Sequence, residues 1–446
     1  MRTQPSRPLL LFDAPAPCVK LLEALPRAAV EQAVGACGRV QKRWRRLPAV
    51  LVVYLVVAAA LLRHVALARL VPLLGLSVPR AGRFAVAVSA LTAARKRLGP
   101  EPLRALLSAV AAPEARRWRG RRLLGLDGTS LRAPDSRANR EWFGLHRARL
   151  GESAYPLLRL VLLVELGTRH VLDAAVAPFD VGEPSLARRL LGALPPDALV
   201  LLDGGYVGGP FVQALLGLGA GRAFLLPLPS NATYRVLARL GPGDELGEFR
   251  LTWRTRRRHP QAAPTWTARV IRYHARGWRP RRFVTNLLEP AEAPRAELGA
   301  LYRERWELEL GLGDAKAHLL ERQEALRSRT PRLCEQEVYA LLVANNVLRA
   351  LGAAHARALG VEPRRVSFVG LRDALRAAWV RASAPVEGAL DEVSGGPLPL
   401  RREGRRCPRE VKLGRSRYAP KRLRRTAPER WMWEQSVGRE RPKEAA

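Results

Sequence analysis

The sequence predicts an α/β catalytic core interrupted by a β-rich insertion and preceded by an all-α N-terminal domain. Three observations carry this expectation. Residues 19–25, the long stretch 47–74 and residues 84–107 read as helices, with Pro and Gly marking the breaks. From residue 121 onward, short apolar runs alternate with turn signals in the order β, β, β, α, β, α, β. Between residues 241 and 290 that order gives way to a stretch holding Trp253, Trp266 and Trp278, many arginines and strand-like pieces such as 267–273.

The elements follow in order. The run 122–131 (RLLGLDGTSL) is a strand with one central acid, Asp127. Runs 156–166 and 171–178 are joined by Gly167-Thr168-Arg169-His170, a hairpin signal. Residues 185–194 read as a short amphipathic helix with Ser185 as its N-cap. The run 198–203 (ALVLLD) is a buried strand ending in Asp203, where Gly204-Gly205 lets the backbone turn. Residues 211–218 read as helix, 223–228 as strand, and 295–351 and 371–381 as helices. These elements divide the chain at 1–115 (helical), 116–240 (core, first part), 241–294 (insertion), 295–395 (core, second part, with C-terminal helices) and 396–446 (basic tail). From Arg401 onward the tail carries 16 basic and six acidic residues. No internal repeat stands out.

Composition narrows the function. With 446 residues, 48% of them hydrophobic, global disorder is excluded. The chain has 76 Lys plus Arg against 40 Asp plus Glu, a net charge of +36. Only seven of the cations are lysine, a bias that a GC-rich genome explains. Codon bias does not neutralise the charge, so a polyanion is expected, nucleic acid before an anionic membrane. Cys18, Cys37, Cys334 and Cys407 are too far apart for a disulfide scaffold or a zinc site. The most apolar run, 49–62, is shorter than the roughly 20 residues of a bilayer span and reads as a buried helix. The N-terminus shows no secretory signal, so a cytoplasmic protein with no membrane partner is expected.

Three segments carry chemistry. Asp127 and Asp203 each stand in or at the end of an apolar strand, where a carboxylate needs a cation, a donor set or a metal. Each alone is also ordinary turn chemistry. The third segment is Tyr302-Arg303-Glu304-Arg305-Trp306-Glu307-Leu308-Glu309, followed by Lys316. At about 100° per residue, Tyr302, Arg305, Glu309 and Lys316 fall within roughly 60° of one helix face. A solvated charged face has such spacings too, but no reason for so narrow an arc. Three carboxylates beside a basic helix point to metal-dependent phosphodiester chemistry.

The run of Tyr302, two residues, Arg305, three residues, Glu309, six residues and Lys316 resembles the signature of bacterial DDE transposases of the insertion sequence 4 group. Asp127 in LDGTSLRAPDSRANREWFG, with Asn139 and Phe143-Gly144, resembles the segment of the family's first acid. Asp203 in VLLDGGY resembles the second and Glu309 the third. The helical start, KRWRRLPAVLVVYLVVAAALLR, and the tail from Cys407-Pro408-Arg409 are similar to the family's two termini.

The resemblance implies an RNase H-like catalytic core. Asp127, Asp203 and Glu309 would hold two Mg2+ ions, with Mn2+ able to substitute. One ion would activate water or a 3′-hydroxyl and the other would stabilise the leaving oxygen. Tyr302, Arg305 and Lys316 would contact end phosphates. The partners would be double-stranded DNA, both the inverted-repeat ends and the target, bound by a homodimer on paired ends. An aromatic from the insertion, Trp253, Trp266 or Trp278, would stack on a flipped base; packing within the insertion is the other reading for each. Arg254, Arg256, Arg257 and Arg258 are expected to form a phosphate-contacting strand or loop, a solvated charge run being the other reading.

Two features depart from the family pattern. Asp203-Gly204-Gly205-Tyr206 stands where Asp-Arg-Gly-Phe is common, and Gly311 and Gly313 interrupt the helix carrying Glu309. A catalytically decayed or domesticated DNA-binding regulator, or an RNase H-like nuclease without strand transfer, therefore stand as alternatives.

Overall fold

The computed structural model describes residues 24–41, 47–73, 87–110, 116–148, 151–219, 221–274, 280–320 and 325–381. The basic tail, Trp278, Cys18, Cys407 and most of the expected helix at 19–25 lie outside them.

The described residues before 117 are helical: α1 (Arg27–Ala36), α2 (Ala49–Leu61), α3 (Leu67–Leu73), α4 (Val88–Leu98) and α5 (Glu101–Ala109). Helix α1 was not anticipated. The expected helix at 47–74 breaks after α2, where Arg63 turns inward and donates to Glu337 at 3.1 Å and to the Ala325 carbonyl. The expected helix at 84–107 divides at Gly99, whose φ of 70° ends α4 before Pro100 begins the next turn. Helix α2 is apolar on every side because it is buried on nearly every side, packed on the long helix Pro331–Ala358. No helix among the described residues is long and apolar enough to cross a membrane.

The core is one large mixed sheet. It contains β1 (Arg117–Trp118), β2 (Arg121–Arg132), β3 (Leu145–Ala148), β4 (Gly151–Glu165), β5 (Val171–Pro178), β6 (Ala198–Leu202) and β7 (Ala223–Leu228). Between β2 and β3 lies α6 (Arg137–Phe143), between β5 and β6 lies α7 (Glu183–Ala187), and between β6 and β7 lies α8 (Gly209–Leu216). Strands β2 and β4 are antiparallel, while β2, β6 and β7 are parallel neighbours, joined by crossovers that carry the helices. The β4–β5 hairpin forms as expected. Buried Glu165 fixes its turn by accepting from the backbone N–H of Gly167 (2.7 Å) and Thr168 (2.8 Å) and from the Thr168 hydroxyl (2.6 Å). Ser185 is not an N-cap: Gly182 caps α7, Pro184 fits its first turn, and residues 188–193 tighten into a 3-10 helix.

The insertion extends this same sheet. Strands β8 (Arg235–Gly241), β9 (Asp244–Arg250), β10 (Thr265–Tyr273) and β11 (Arg281–Thr285) add in the order β7-β11-β10-β9-β8, with β11 antiparallel to β7. Its first strand starts at Arg235, ahead of residue 241. The arginine run is a short helix, α9 (Trp253–Arg258), rather than a strand or loop. The Thr252 hydroxyl caps it, accepting from Thr255 N–H at 3.3 Å. Inside the sheet, Arg269 is buried against Asp244 with contacts of 2.7 and 2.5 Å and donates to the carbonyls of Leu287 and Ala293.

The chain closes with α10 (Arg295–Leu301), α11 (Trp306–Asp314), α12 (Pro331–Ala358) and α13 (Phe368–Arg381). Side chains alternate along β2. Leu123 and Leu131 join the core under α11 and α12, while Leu124 and Leu126 face the core under α7 and α8. The N-terminal helices share the first of these cores with α12 and α13.

Candidate active site

Parallel pairing of β2 with β6 ends at Leu126 opposite Leu202. Asp127 and Asp203 are the next residues on adjacent strands, so they stand side by side where the sheet opens. This is the C-terminal end of the parallel strands, where α/β sheets present their sites. Asp127 Oδ1 accepts from Gly128 N–H at 2.8 Å, and Asp203 Oδ1 accepts from Gly204 N–H at 2.7 Å. Burial pushes the Asp127 carboxyl up to about 6; Asp203 and Glu183 add to the rise, while the Gly128 N–H and Arg305 oppose it.

The segment expected as one helix is three. Tyr302–Arg305 is a 3-10 turn, α11 is an α-helix, and Ala315–Leu319 is a π turn. The tight first turn and the wide last one offset each other, so the four signature side chains still reach one region. Tyr302 Oη donates to the Leu202 carbonyl at 3.0 Å, just before Asp203. Arg305 donates to Asp127 Oδ2 at 3.4 Å and to Glu309 Oε1 at 2.6 Å. Lys316 Nζ donates to Thr129 Oγ1 at 3.2 Å. Burial opposes the charge on Arg305, yet Tyr302, Asp203, Asp127 and Glu309 together raise its pKa. Burial also raises the Tyr302 phenol, to about 12.

The far side of this segment is pinned by ion pairs. Arg169, in the β4–β5 turn with a φ of 61°, reaches Glu307 at 2.7 Å and Asp314 at 3.0 Å. Arg349 of α12 reaches Asp314 at 2.7 Å, and Arg364 reaches Glu304 at 2.7 Å. Gly311 gives Arg169 room, since a Cβ there would lie 3.2 Å from the Arg169 Cβ. Among the described residues, no three Asp, Glu, His or Cys side chains converge tightly enough to hold a metal ion. Arg305 reaches both Asp127 and Glu309, one cation shared by two of the three acids.

The insertion residues divide. Trp266 is 7% exposed and stacks on Phe249 with ring centres 4.0 Å apart. It packs the sheet and does not present a stacking face, which corrects its expected role. Trp253 is 66% exposed at the start of α9, with the Arg254 guanidinium 5.6 Å from its ring centre, and Arg256 is exposed beside it. Helix α9 connects β9 to β10, and β10 is four strands from β2, about 19 Å at the usual strand spacing. The structure therefore gathers Asp127, Asp203, Tyr302, Arg305, Glu309 and Lys316 and leaves Trp253, Arg254 and Arg256 apart from them. Sequence reading missed Thr129, Glu183 and the ion-pair frame. The one available signal was Glu183 itself, an acid between Gly182 and Pro184 at a helix start.

The profile described as "Insertion element 4 transposase N-terminal" matches residues 15–108, and "Transposase DDE domain" matches residues 118–347. The transposase InsG for insertion sequence element IS4 of Escherichia coli (strain K12) is 30% identical over 358 residues, covering 79% of this chain and 80% of that protein. The protein named "Putative transposase InsZ" of the same strain is 30% identical over 232 residues, 50% of this chain and 76% of that one. Among solved structures, the cryo-EM structure of the piggyBac transposase synaptic complex with hairpin DNA covers 87% of this chain and 86% of its own, with a TM-score of 0.42 and 10% identity. The class defined by the sheet and the matched domain is a DDE-type transposase, an enzyme with a mixed α/β core. Within that class, the chain belongs to the insertion sequence 4 family.

Proposed function

We propose that this transposase binds the inverted-repeat ends of its own element as double-stranded DNA, cleaves them, and joins them to target DNA as a homodimer on paired ends. One observation carries the reading: Arg305 couples Asp127 and Glu309, acids far apart in the sequence, at the strand end where Asp203 also stands. Residues 1–115 would bind the ends, 116–240 with 295–395 would form an RNase H-like catalytic core, and the 241–294 insertion with the 396–446 tail would flank the DNA.

Asp127, Asp203 and Glu309 would hold Mg2+, or Mn2+ in its place. Their oxygens are the hard donors such ions take. The buried Asp127 carboxyl beside Asp203 is a charge that a cation relieves. Bound cations would supply an activated oxygen nucleophile and a stabilised leaving oxygen at phosphorus. Arg305 would then exchange a carboxylate for phosphate, where its planar fork fits two oxygens. Lys316, held near the site through Thr129, would add a point charge, and Tyr302 would fix this segment to the end of β6.

The test is purified protein with Mg2+ and a supercoiled plasmid carrying the inverted repeats. Excised, joined products support the reading. Retarded DNA without nicking supports a DNA-binding regulator instead, and nicking without joining supports a nuclease.

A further inference from the structure

Glu183 opens α7, on the sheet face opposite α11. Its carboxylate is built into place. Arg159, from the neighbouring strand β4, donates from Nη1 to Glu183 Oε1 at 2.7 Å. Arg159 is itself fixed, because Nε and Nη2 donate to the Phe179 carbonyl and its guanidinium lies 4.4 Å from the Phe179 ring centre. The carboxylate presses directly on β2: a Cβ at Gly128 would lie 2.5 Å from Glu183 Cδ. The same Gly128 donates its N–H to Asp127. Side chains of successive strand residues leave opposite faces, so the Asp127 and Glu183 carboxylates approach one peptide from its two sides. Strand β4 still pairs with β2 at Gly128, but β6 has already ended, so on that side no strand separates the two faces.

A second feature lies beside these carboxylates in the same core as α7. Tyr206, just after Asp203, is 1% exposed, and its hydroxyl has no hydrogen-bond partner. Buried hydroxyls are normally satisfied, and leaving one unpaired is costly. Burial raises this phenol, and Asp127, Glu183 and Asp203 raise it further, which sets it in the field of all three carboxylates.

We propose that Glu183 is a fourth carboxylate of the site and that, with Asp127 and the Tyr206 hydroxyl, it holds a divalent cation, directly or through water, from the face opposite Glu309. The donor set is all oxygen, the chemistry of Mg2+ and Mn2+. This rests on reading Asp127 and Asp203 as cation ligands.

The experiment titrates Mn2+ into the metal-free full-length protein without DNA and follows water-proton relaxation, with circular dichroism melts as the check on folding. Glu183→Gln is expected to bind Mn2+ about tenfold or more weakly, and Tyr206→Phe measurably more weakly. Arg159→Met, which removes the pairing guanidinium but keeps the Glu183 carboxylate itself, is expected to bind as well as the parent or better. If Glu183→Gln binds like the parent while Asp127→Asn does not, the fourth-carboxylate assignment is overturned and the proposed function stands. If Arg159→Met loses as much as Glu183→Gln, the carboxylate serves only to fix Arg159, and the assignment is likewise overturned. If the parent itself binds no Mn2+, it is the cation reading of Asp127 and Asp203 that fails.

Discussion

The Arg305 guanidinium lies 3.4 Å from the Asp127 carboxylate and, through its other terminal nitrogen, 2.6 Å from that of Glu309. One fixed cation thus serves two of the acids that are proposed to take divalent ions. Competition follows from charge alone, because carboxylates paired with a guanidinium are less available to a second cation. Arg305→Gln is therefore expected to tighten Mn2+ binding several-fold in the absence of DNA while weakening binding of an inverted-repeat end. Relaxation titration and gel retardation measure the two effects. Equal or weaker Mn2+ binding would remove the competition argument.

Asp127 sets a pH window. Its pKa is raised from 3.8 to about 6, chiefly by burial. Between those values the folded chain holds a proton that the unfolded chain has lost, so this group's contribution to stability falls as pH rises toward 6. Asp127→Asn, which carries no charge, should raise the melting temperature by a few degrees at pH 7.5 in metal-free buffer, roughly 1–2 kcal/mol, and leave it unchanged near pH 4. Metal binding by the parent should weaken below pH 6, as the carboxyl takes up its proton.

The two helix glycines should respond with opposite signs. Gly313 has open space at its Cβ position, so Gly313→Ala should stabilise the chain by about 0.5–1 kcal/mol. At Gly311 a Cβ meets Arg169, which holds both Glu307 and Asp314. Gly311→Ala should therefore lose stability and cleavage together, as read by thermal melts and by DNA nicking.

The tryptophans of the insertion separate structure from contact. Trp266→Ala empties a stacked, buried site and should cost about 3–5 kcal/mol. Trp253→Ala should shift stability by less than about 0.5 kcal/mol. If Trp253 stacks on a base, its loss weakens end binding by about 1–3 kcal/mol. Denaturant melts and retardation titrations distinguish the two residues.

How much of this was legible follows from the range of each interaction. The β4–β5 hairpin, the strand ending before Asp203 and the buried helix α2 were readable because apolar runs and turn residues are local signals. The grouping of Tyr302, Arg305, Glu309 and Lys316 was readable from spacing, although the segment winds as 3-10, α and π turns in succession. The partner strand of β11 was not readable, because sheet pairing joins residues far apart in sequence, and so the insertion's continuity with the core was invisible. Trp253 and Trp266 looked alike in sequence; only the stacking of Trp266 on Phe249 separates a buried ring from an exposed one. Glu183 was missed because it opens a helix, while its neighbours at the site, Gly128 and Arg159, come from two strands distant in sequence.

The central claim is that Asp127, Asp203 and Glu309 act as one unit on a DNA phosphodiester. The direct measurement is cleavage of an end-labelled inverted-repeat duplex in Mg2+ by Asp127→Asn, Asp203→Asn and Glu309→Gln, with end binding measured in parallel. Each variant is expected to bind the end but lose cleavage by about a thousandfold or more, with double variants no worse than single ones. Cleavage at parental rates by any one of the three would contradict the account.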